Sequence, residues 1–134
     1  MKKTNKREKL PSLTKEYLPQ IISLAKQNDC QVLFVQFPSQ SSWNWAKYNT
    51  VKDIAQEYQI SYLDFNVSQY NTGFSWLTDS RDGGNHLNYY GAQKMTKYIG
   101  EYLKEYYTLE DDRHNPEYQD YEEIYKKYQQ NFMK

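Results

Sequence analysis

One uninterrupted apolar run, Val32 to Val35, constrains the fold of this chain more than any other feature. Such a run, ending before Pro38, is typical of a strand buried on both faces, and strands of that kind occur in parallel sheets. A second apolar run, Ile60 to Phe65, follows after one amphipathic segment. We therefore predict two adjacent parallel strands, over 31–37 and 60–65, joined by a right-handed helical crossover.

Apolar residues at helical spacing surround these strands. We predict a first helix from about Leu13, a crossover helix after a polar loop at 39–44, and a strong helix that begins after Asn88. Asn115 followed by Pro116 marks the start of a last helix with an aromatic stripe. The stripe consists of Tyr118, Tyr121, Tyr125, Tyr128 and Phe132. We expect it to pack against the domain or another copy of the chain, since burying an aromatic side chain contributes about 1.5 to 3 kcal/mol.

These elements predict an α/β fold. They would form a partial three-layer sandwich, with a short parallel sheet flanked by helices and an extra C-terminal helix. The 134 residues suit a single domain, and the polar segment 1–11 is expected to be a disordered leader. Two strands are too few for a parallel sheet, because its edges would remain unpaired. The chain is therefore interpreted as part of a larger domain.

Charge and composition exclude several classes of protein. Seventeen basic residues balance seventeen acidic ones, so the positive field typical of a nucleic-acid-binding protein is missing. No apolar run is long enough to span a bilayer, and the basic start lacks the apolar core of a secretion signal. A single cysteine, Cys30, permits neither an internal disulfide nor a cysteine-based metal cluster.

The two histidines limit where acid–base chemistry at neutral pH could occur. His86 is the stronger candidate, because it lies in a glycine-rich stretch of a predicted long loop, 67–88, immediately before a helix. A carboxylate a few residues upstream could orient the imidazole through one ring nitrogen and leave the other facing a cleft. A histidine that only orders its loop would show the same spacing.

The polar loop after the first strand carries two aromatic side chains. Trp43 and Trp45 flank Asn44, and three serines precede them in the segment 39–42. Flat aromatic faces beside short hydrogen-bonding side chains suit a carbohydrate. Trp43, Asn44 and Trp45 are therefore candidate substrate-binding residues, with a packed rim as the equally weighted alternative.

The segment from Asp82 to Lys94, with His-Leu-Asn at 86–88 and Gly-Ala at 91–92, resembles the carboxyl-terminal Asp/His block of the SGNH/GDSL hydrolase superfamily. This form of the block occurs in bacterial cell-surface members, and the likeness extends from about Leu13 onward. The resemblance implies a serine esterase or O-acyltransferase with His86 as general base and no metal or organic cofactor. It also implies acyl esters of cell-wall or exported polysaccharides as substrates.

Two departures from the family pattern affect the site. The usual spacing is Asp-x-x-His, whereas the nearest acid, Asp82, precedes His86 by four residues. A glycine-rich loop can absorb one residue, so Asp82 is the preferred orienting acid and Asp79 the second choice. The glycine-flanked serine block of the family is missing, and the serines at 39–42 lack its turn. We therefore expect the carboxyl-terminal half of such a domain, inactive alone and completed by a missing N-terminal half. The expected partners are this missing half or a second copy of the chain.

A different class of function stays open. The chain could be a non-catalytic module that binds a protein or a glycan through the tyrosine stripe of the last helix and the Trp43/Trp45 loop. The missing nucleophile favours this alternative, while the balanced charge disfavours binding to nucleic acid. The cellular compartment is not specified by the chain itself, although the family likeness suggests the bacterial cell surface.

Overall fold

A computed structural model describes residues 1–67 and 70–132. Its helices are α1 (Ser12–Gln27), α2 (Trp45–Tyr58), α3 (Trp76–Asp79), α4 (Tyr89–Tyr106) and α5 (Gln119–Phe132), and its strands are β1 (Leu33–Gln36), β2 (Ser61–Asp64), β3 (Ser80–Arg81) and β4 (His86–Leu87). β1 and β2 pair in parallel, with Leu33 opposite Ser61 and Gln36 opposite Asp64. The predicted α/β fold with parallel strands joined by a helix is confirmed.

Helix α4 covers one face of the β1–β2 sheet. Met95 of α4, which is 1% exposed, packs with Leu63 and Phe65 to form the buried core. The partly buried residues around this core are Leu33, Val35, Tyr70, Phe74, Leu87, Tyr98, Ile99 and Tyr102. Because side chains alternate along a strand, the remaining side chains of β1 and β2 belong to the opposite face.

Helices α1 and α2 cover that opposite face. Tyr62 of β2 stacks on Tyr48 of α2 with the ring centroids 5.9 Å apart. The leader and α1, together with α2 and β1, enclose an open cavity of ≈ 270 Å³. Its apolar lining includes Leu10, Leu18, Phe34, Val51 and Ile54. The sheet is therefore the middle of three layers.

Strand β1 is less buried than its sequence predicts. All four of its residues are half-buried, whereas Leu63 and Asp64 of β2 are buried. The prediction that the run from Val32 to Val35 is buried on both faces is therefore wrong. The physical reason is packing: the buried core is centred on Leu63, Phe65 and Met95, whereas an open cavity lies beside the residues of β1.

The stripe of α5 is largely exposed within the described chain. Tyr118, Tyr121 and Tyr125 are 43%, 71% and 57% exposed. The ring of Tyr128 lies 5.9 Å from that of Tyr89. Tyr128 therefore contacts α4 of its own domain while the other three tyrosines remain largely exposed, and packing of the stripe against another copy stays a prediction. The side chain of Phe132, the last residue of the stripe, lies outside what the structure describes.

One further segment differs from its predicted structure, and the leader contacts α2. The region 70–88 contains α3 and the short hairpin β3–β4, where the lack of periodicity predicted a loop. In the leader, Arg7 pairs with Asp53 of α2 at 2.8 Å, and Asn49 donates hydrogen bonds to two leader carbonyls. No helix in the described ranges has both the length and the apolar character needed to cross a membrane.

Candidate functional site

The β3–β4 hairpin carries the histidine and one of the candidate acids. Arg81 pairs with His86 across the hairpin, which is antiparallel. Oδ2 of Asp82 lies 2.9 Å from Nδ1 of His86, and the two side chains are 62% and 65% exposed. Nε2 of His86 has no hydrogen-bond partner among the described residues. An imidazole held at Nδ1 with a free Nε2 is suited to accept a proton.

Backbone conformation explains how a spacing of four residues brings this pair together. Asp82, Gly83 and Gly84 have φ angles of 53°, 65° and 87°. Three successive left-handed residues turn the chain sharply, a conformation that glycine adopts readily and aspartate tolerates better than most residues. The turn therefore accommodates the extra residue and returns the Asp82 carboxylate to His86.

The second candidate acid, Asp79, interacts with α4 and not with His86. Its side chain is 2% exposed and accepts hydrogen bonds from Lys94 Nζ at 2.6 Å and from the Ser75 N–H at 2.7 Å. Burial alone would raise the pKa of Asp79. The hydrogen bonds, with Lys94 foremost, outweigh burial and hold this pKa below its ordinary value. Asp79 therefore anchors the base of the hairpin as an ionised group.

Asn88 completes this anchor at the start of α4. Its N–H donates to the carbonyl of Asp79 at 3.0 Å, and its Nδ2 donates to the carbonyl of Thr78 at 2.8 Å. Its Oδ1 caps α4 by accepting from the N–H of Gly91 at 3.1 Å. A Cβ at Gly91 would overlap the Asp79 carbonyl, so only glycine fits there. Asn88, Gly91 and Lys94 therefore have a structural role, because together they hold the base of the hairpin against the first turns of α4.

The loop after β1 meets the hairpin at the carboxyl ends of the parallel strands. The N–H of Gln40 donates to the carbonyl of Gly84 at 2.9 Å. Asn85, which precedes His86, accepts from the N–H of Ser41 at 3.2 Å and from its hydroxyl at 2.5 Å. Ligands of parallel α/β sheets bind at this end. The hairpin is therefore placed where such a fold carries its chemistry.

The three serines of this loop form their hydrogen bonds away from the histidine. Ser39 is 5% exposed, and its hydroxyl pairs with that of Ser42. The hydroxyl of Ser41 donates to Asn85. No serine in the described part of the chain is hydrogen-bonded to His86. The geometry thus gives an oriented acid–base pair without a nucleophile engaged by it.

The predicted substrate-binding residues take part in structural contacts. Trp43 donates its indole N–H to the buried Asp64 at 2.8 Å. Asn44 caps α2 by accepting from the N–H of Lys47 at 2.9 Å. Trp45 begins α2 and packs on a tyrosine one turn later, with ring centroids 5.1 Å apart. Sugar binding by this loop stays a prediction.

Asp64 is a buried acidic residue that is not among the candidate residues selected from the sequence. Its carboxylate is 1% exposed and accepts hydrogen bonds from Trp43, from the Tyr62 hydroxyl at 2.8 Å, and from the N–H and Nδ2 of Asn66 at 2.8 and 2.9 Å. Burial, together with the bond to Asp64, raises the pKa of Tyr62. The sequence signal that could have identified Asp64 is the position of an acidic residue at the end of an apolar strand.

No cluster of three or more His, Cys, Asp or Glu side chains in the described ranges could hold a metal ion. Comparison with protein-family models, with curated proteins and with solved structures finds no match to this chain. The likeness to SGNH/GDSL hydrolases therefore depends on the residues themselves and stays a prediction.

Proposed function

We propose that this chain supplies the acid–base pair of an SGNH/GDSL-type serine esterase or O-acyltransferase, and that the nucleophile comes from a further polypeptide segment. The observation that supports this function is the 2.9 Å approach of Asp82 Oδ2 to His86 Nδ1. The pair lies beside the loop that follows β1, at the end of the sheet where α/β enzymes bind ligands. Acyl esters of cell-wall or exported polysaccharides are the substrates that the family likeness favours.

The proposed chemistry assigns one role to each member of the pair. Asp82 accepts a hydrogen bond from Nδ1–H of His86, which leaves the lone pair of Nε2 available. Nε2 takes the proton of a serine hydroxyl as the serine oxygen attacks the acyl carbon, and it returns that proton to the departing alkoxide. Water or an acceptor alcohol then takes the acyl group, giving hydrolysis or transfer. Asp82 stabilises the imidazolium formed in between.

The first experiment measures p-nitrophenol release from p-nitrophenyl acetate. The chain alone is expected to release no more than its His86→Ala variant. A version extended by an upstream serine block should lose about a thousandfold or more on the same substitution. His114→Ala is the matched control, because His114 is an exposed histidine paired with Glu122. An extended version that is active and insensitive to His86→Ala would refute the proposed role.

A fluorophosphonate probe tests the source of the nucleophile separately. Such a probe labels serines that a neighbouring base activates. We expect no labelling of the chain alone, since the hydroxyls of Ser39, Ser41 and Ser42 engage one another or Asn85. Covalent labelling at any of these serines would show that the nucleophile lies within this chain.

A second candidate function is a non-catalytic module that binds a protein or a glycan. The exposure of Tyr121 and Tyr125 on α5 favours it, since large aromatic patches on a surface commonly mark interaction sites. Titration of the chain with a purified cell-wall polysaccharide tests this candidate. Binding that is lost in Tyr121→Ser and unchanged in His86→Ala would support it over catalysis.

A further inference from the structure

Strand β1 has an open edge. Phe65 donates its N–H to the carbonyl of Gln36 at 2.9 Å, so the backbone groups of Gln36 face β2. Since backbone groups of successive residues in a strand point to opposite sides, those of Leu33 and Val35 face away from β2. In the described part of the chain no strand lies on that side. The edge also lacks the proline or charged side chains that usually protect an edge strand.

The outer flank of α1 is apolar and exposed. Leu13, Tyr17, Ile21 and Leu24 are 67%, 50%, 61% and 61% exposed, and their spacing places them on one stripe.

This stripe lies on the side of the open edge. Lys15 and Pro19 face α2 across a shared cavity, and Lys26 donates to the carbonyl of Tyr58 at the end of α2. Helical geometry puts the stripe on the opposite flank of α1 from these residues. Thr14 and Leu18 of α1 line the cavity beside β1, whereas α2 contacts β2. We therefore infer that this flank lies on the side of the open edge of β1.

The open edge of β1 and the apolar flank of α1 indicate which secondary structure elements a binding partner needs. Backbone donors and acceptors at strand spacing are satisfied by an added strand, and the side chains of that strand give specificity by entering pockets. The apolar cavity of ≈ 270 Å³ beside β1 offers such a pocket. An apolar stripe along three turns of α1 is covered most completely by an amphipathic helix. A strand joined to a helix therefore fits the whole surface.

We propose that the open edge of β1 and the outer flank of α1 bind the further polypeptide segment that brings the nucleophile. Its apolar strand adds parallel to β1, and its adjoining helix covers the stripe. Parallel addition places the carboxyl end of the new strand beside the 39–42 loop and His86, where a nucleophile is needed. The identity of the partner and the strand direction rest on the proposed function, whereas the open edge does not.

Amide hydrogen exchange of the dilute chain tests the edge itself. Phe34 and Gln36, which face β2, should exchange at least about tenfold more slowly than Leu33 and Val35, which face outward. This alternation within one strand provides its own control. Equal protection of all four amides in a monomer would overturn the proposal. A dimer, detected by light scattering, in which the amides of Leu33 and Val35 are protected would also overturn the proposal, because a second copy would then occupy the edge.

A synthetic strand tests the mode of binding. The probe is the peptide Lys-Val-Thr-Val-Thr-Val-Ser-Lys, and its control carries N-methyl groups on alternate amides of the pairing edge. We expect the probe to slow exchange at Leu33 and Val35 by about tenfold or more and the control to have no effect, since N-methylation removes the donors. No slowing by the probe, or equal slowing by both peptides, would overturn the proposal.

A nitroxide at the carboxyl end of the same peptide tests the direction. Parallel addition should broaden the NMR signals of Ser41 and Asn85, whereas broadening around Gln31 would show antiparallel addition and overturn the proposed orientation. These measurements involve no catalysis, so their failure leaves the His86→Ala experiment unaffected. Conversely, a failure of that experiment would remove the assigned partner and leave the exchange pattern of β1 intact.

Discussion

Nζ of Lys94 lies 2.6 Å from Oδ2 of Asp79, an ion pair in which the carboxylate is almost entirely removed from solvent. Lys94 belongs to α4, while Asp79 ends α3 directly before the hairpin that carries Asp82 and His86. A buried charge is tolerated only when it is paired and hydrogen-bonded. Together with the hydrogen bonds of Asn88, this contact attaches the candidate site to the main helix of the core.

Replacing Lys94 by Met should destabilise the fold by about 3 kcal/mol, because it leaves the buried carboxylate of Asp79 unpaired. Lys97→Met is the matched control on the same helix. Lys97 is exposed, and its Nζ lies as far as 4.0 Å from the Glu101 carboxylate. Loss of this weak surface pair should cost less than about 0.5 kcal/mol. Urea unfolding monitored by circular dichroism measures both. Equal losses would contradict the importance of the buried pair.

The lowered pKa of Asp79 predicts a specific pH dependence of stability. The folded state holds this group ionised more strongly than the unfolded chain, whose Asp pKa is about 3.9. Its contribution is therefore present above about pH 4 and is lost as the pH falls through the folded-state pKa. Asp79→Asn should be less stable than the natural chain at pH 7, and the gap should narrow toward pH 3. A gap that is constant across urea titrations at pH 7, 5, 4 and 3 would oppose this assignment.

Gly91→Ala should destabilise the fold by about 1 to 3 kcal/mol, because the added methyl group overlaps the backbone carbonyl of Asp79. Gly100→Ala, in the same helix, has open space around its added methyl group. It should stabilise the fold by about 0.5 to 1 kcal/mol through its better helix propensity. Thermal unfolding of the two variants gives the comparison. Shifts of the same sign would be inconsistent with close packing at Gly91.

Truncation after Asn115 should lower the unfolding free energy of the monomer by less than about 1.5 kcal/mol. Tyr121 and Tyr125 are mostly exposed, so they contribute less than a fully buried aromatic side chain would. If α5 instead joins two copies, truncation will convert a dimer to a monomer. Light scattering and thermal unfolding of the truncated chain measure both effects. A large loss of stability in a chain that is already monomeric would contradict the observed exposure.

The central fold could be predicted because two apolar runs are separated by a helical pattern. The degree of burial could not be predicted in the same way. Alternation and apolar runs report how side chains point along a strand, but they do not report how closely other elements pack on each face of that strand. The run from Val32 to Val35 therefore suggests full burial, whereas β1 is half-buried beside an open cavity.

Local spacing in the sequence indicates the partner of Asp82 but gives no indication of the partner of Asp79. Asp82 and His86 are four residues apart, and two intervening glycines permit the turn that joins them. Asp79 pairs with Lys94, fifteen residues later, through packing of α3 on α4. Asp64 likewise accepts hydrogen bonds from residues of one strand and two loops. Partners of this kind depend on tertiary packing, which no short sequence window contains.

The indole of Trp43 lies in the layer between α2 and the sheet, bonded to Asp64, whereas Trp76 is 41% exposed at the base of the hairpin. The carbonyl of Trp76 accepts a hydrogen bond from Ser80 of β3 at 2.5 Å. These two indoles therefore occupy different electronic environments, one beside the parallel sheet and the other beside the hairpin. Fluorine-substituted tryptophan would give each a separate resonance, so loosening of the hairpin could be followed without waiting for the sheet to unfold.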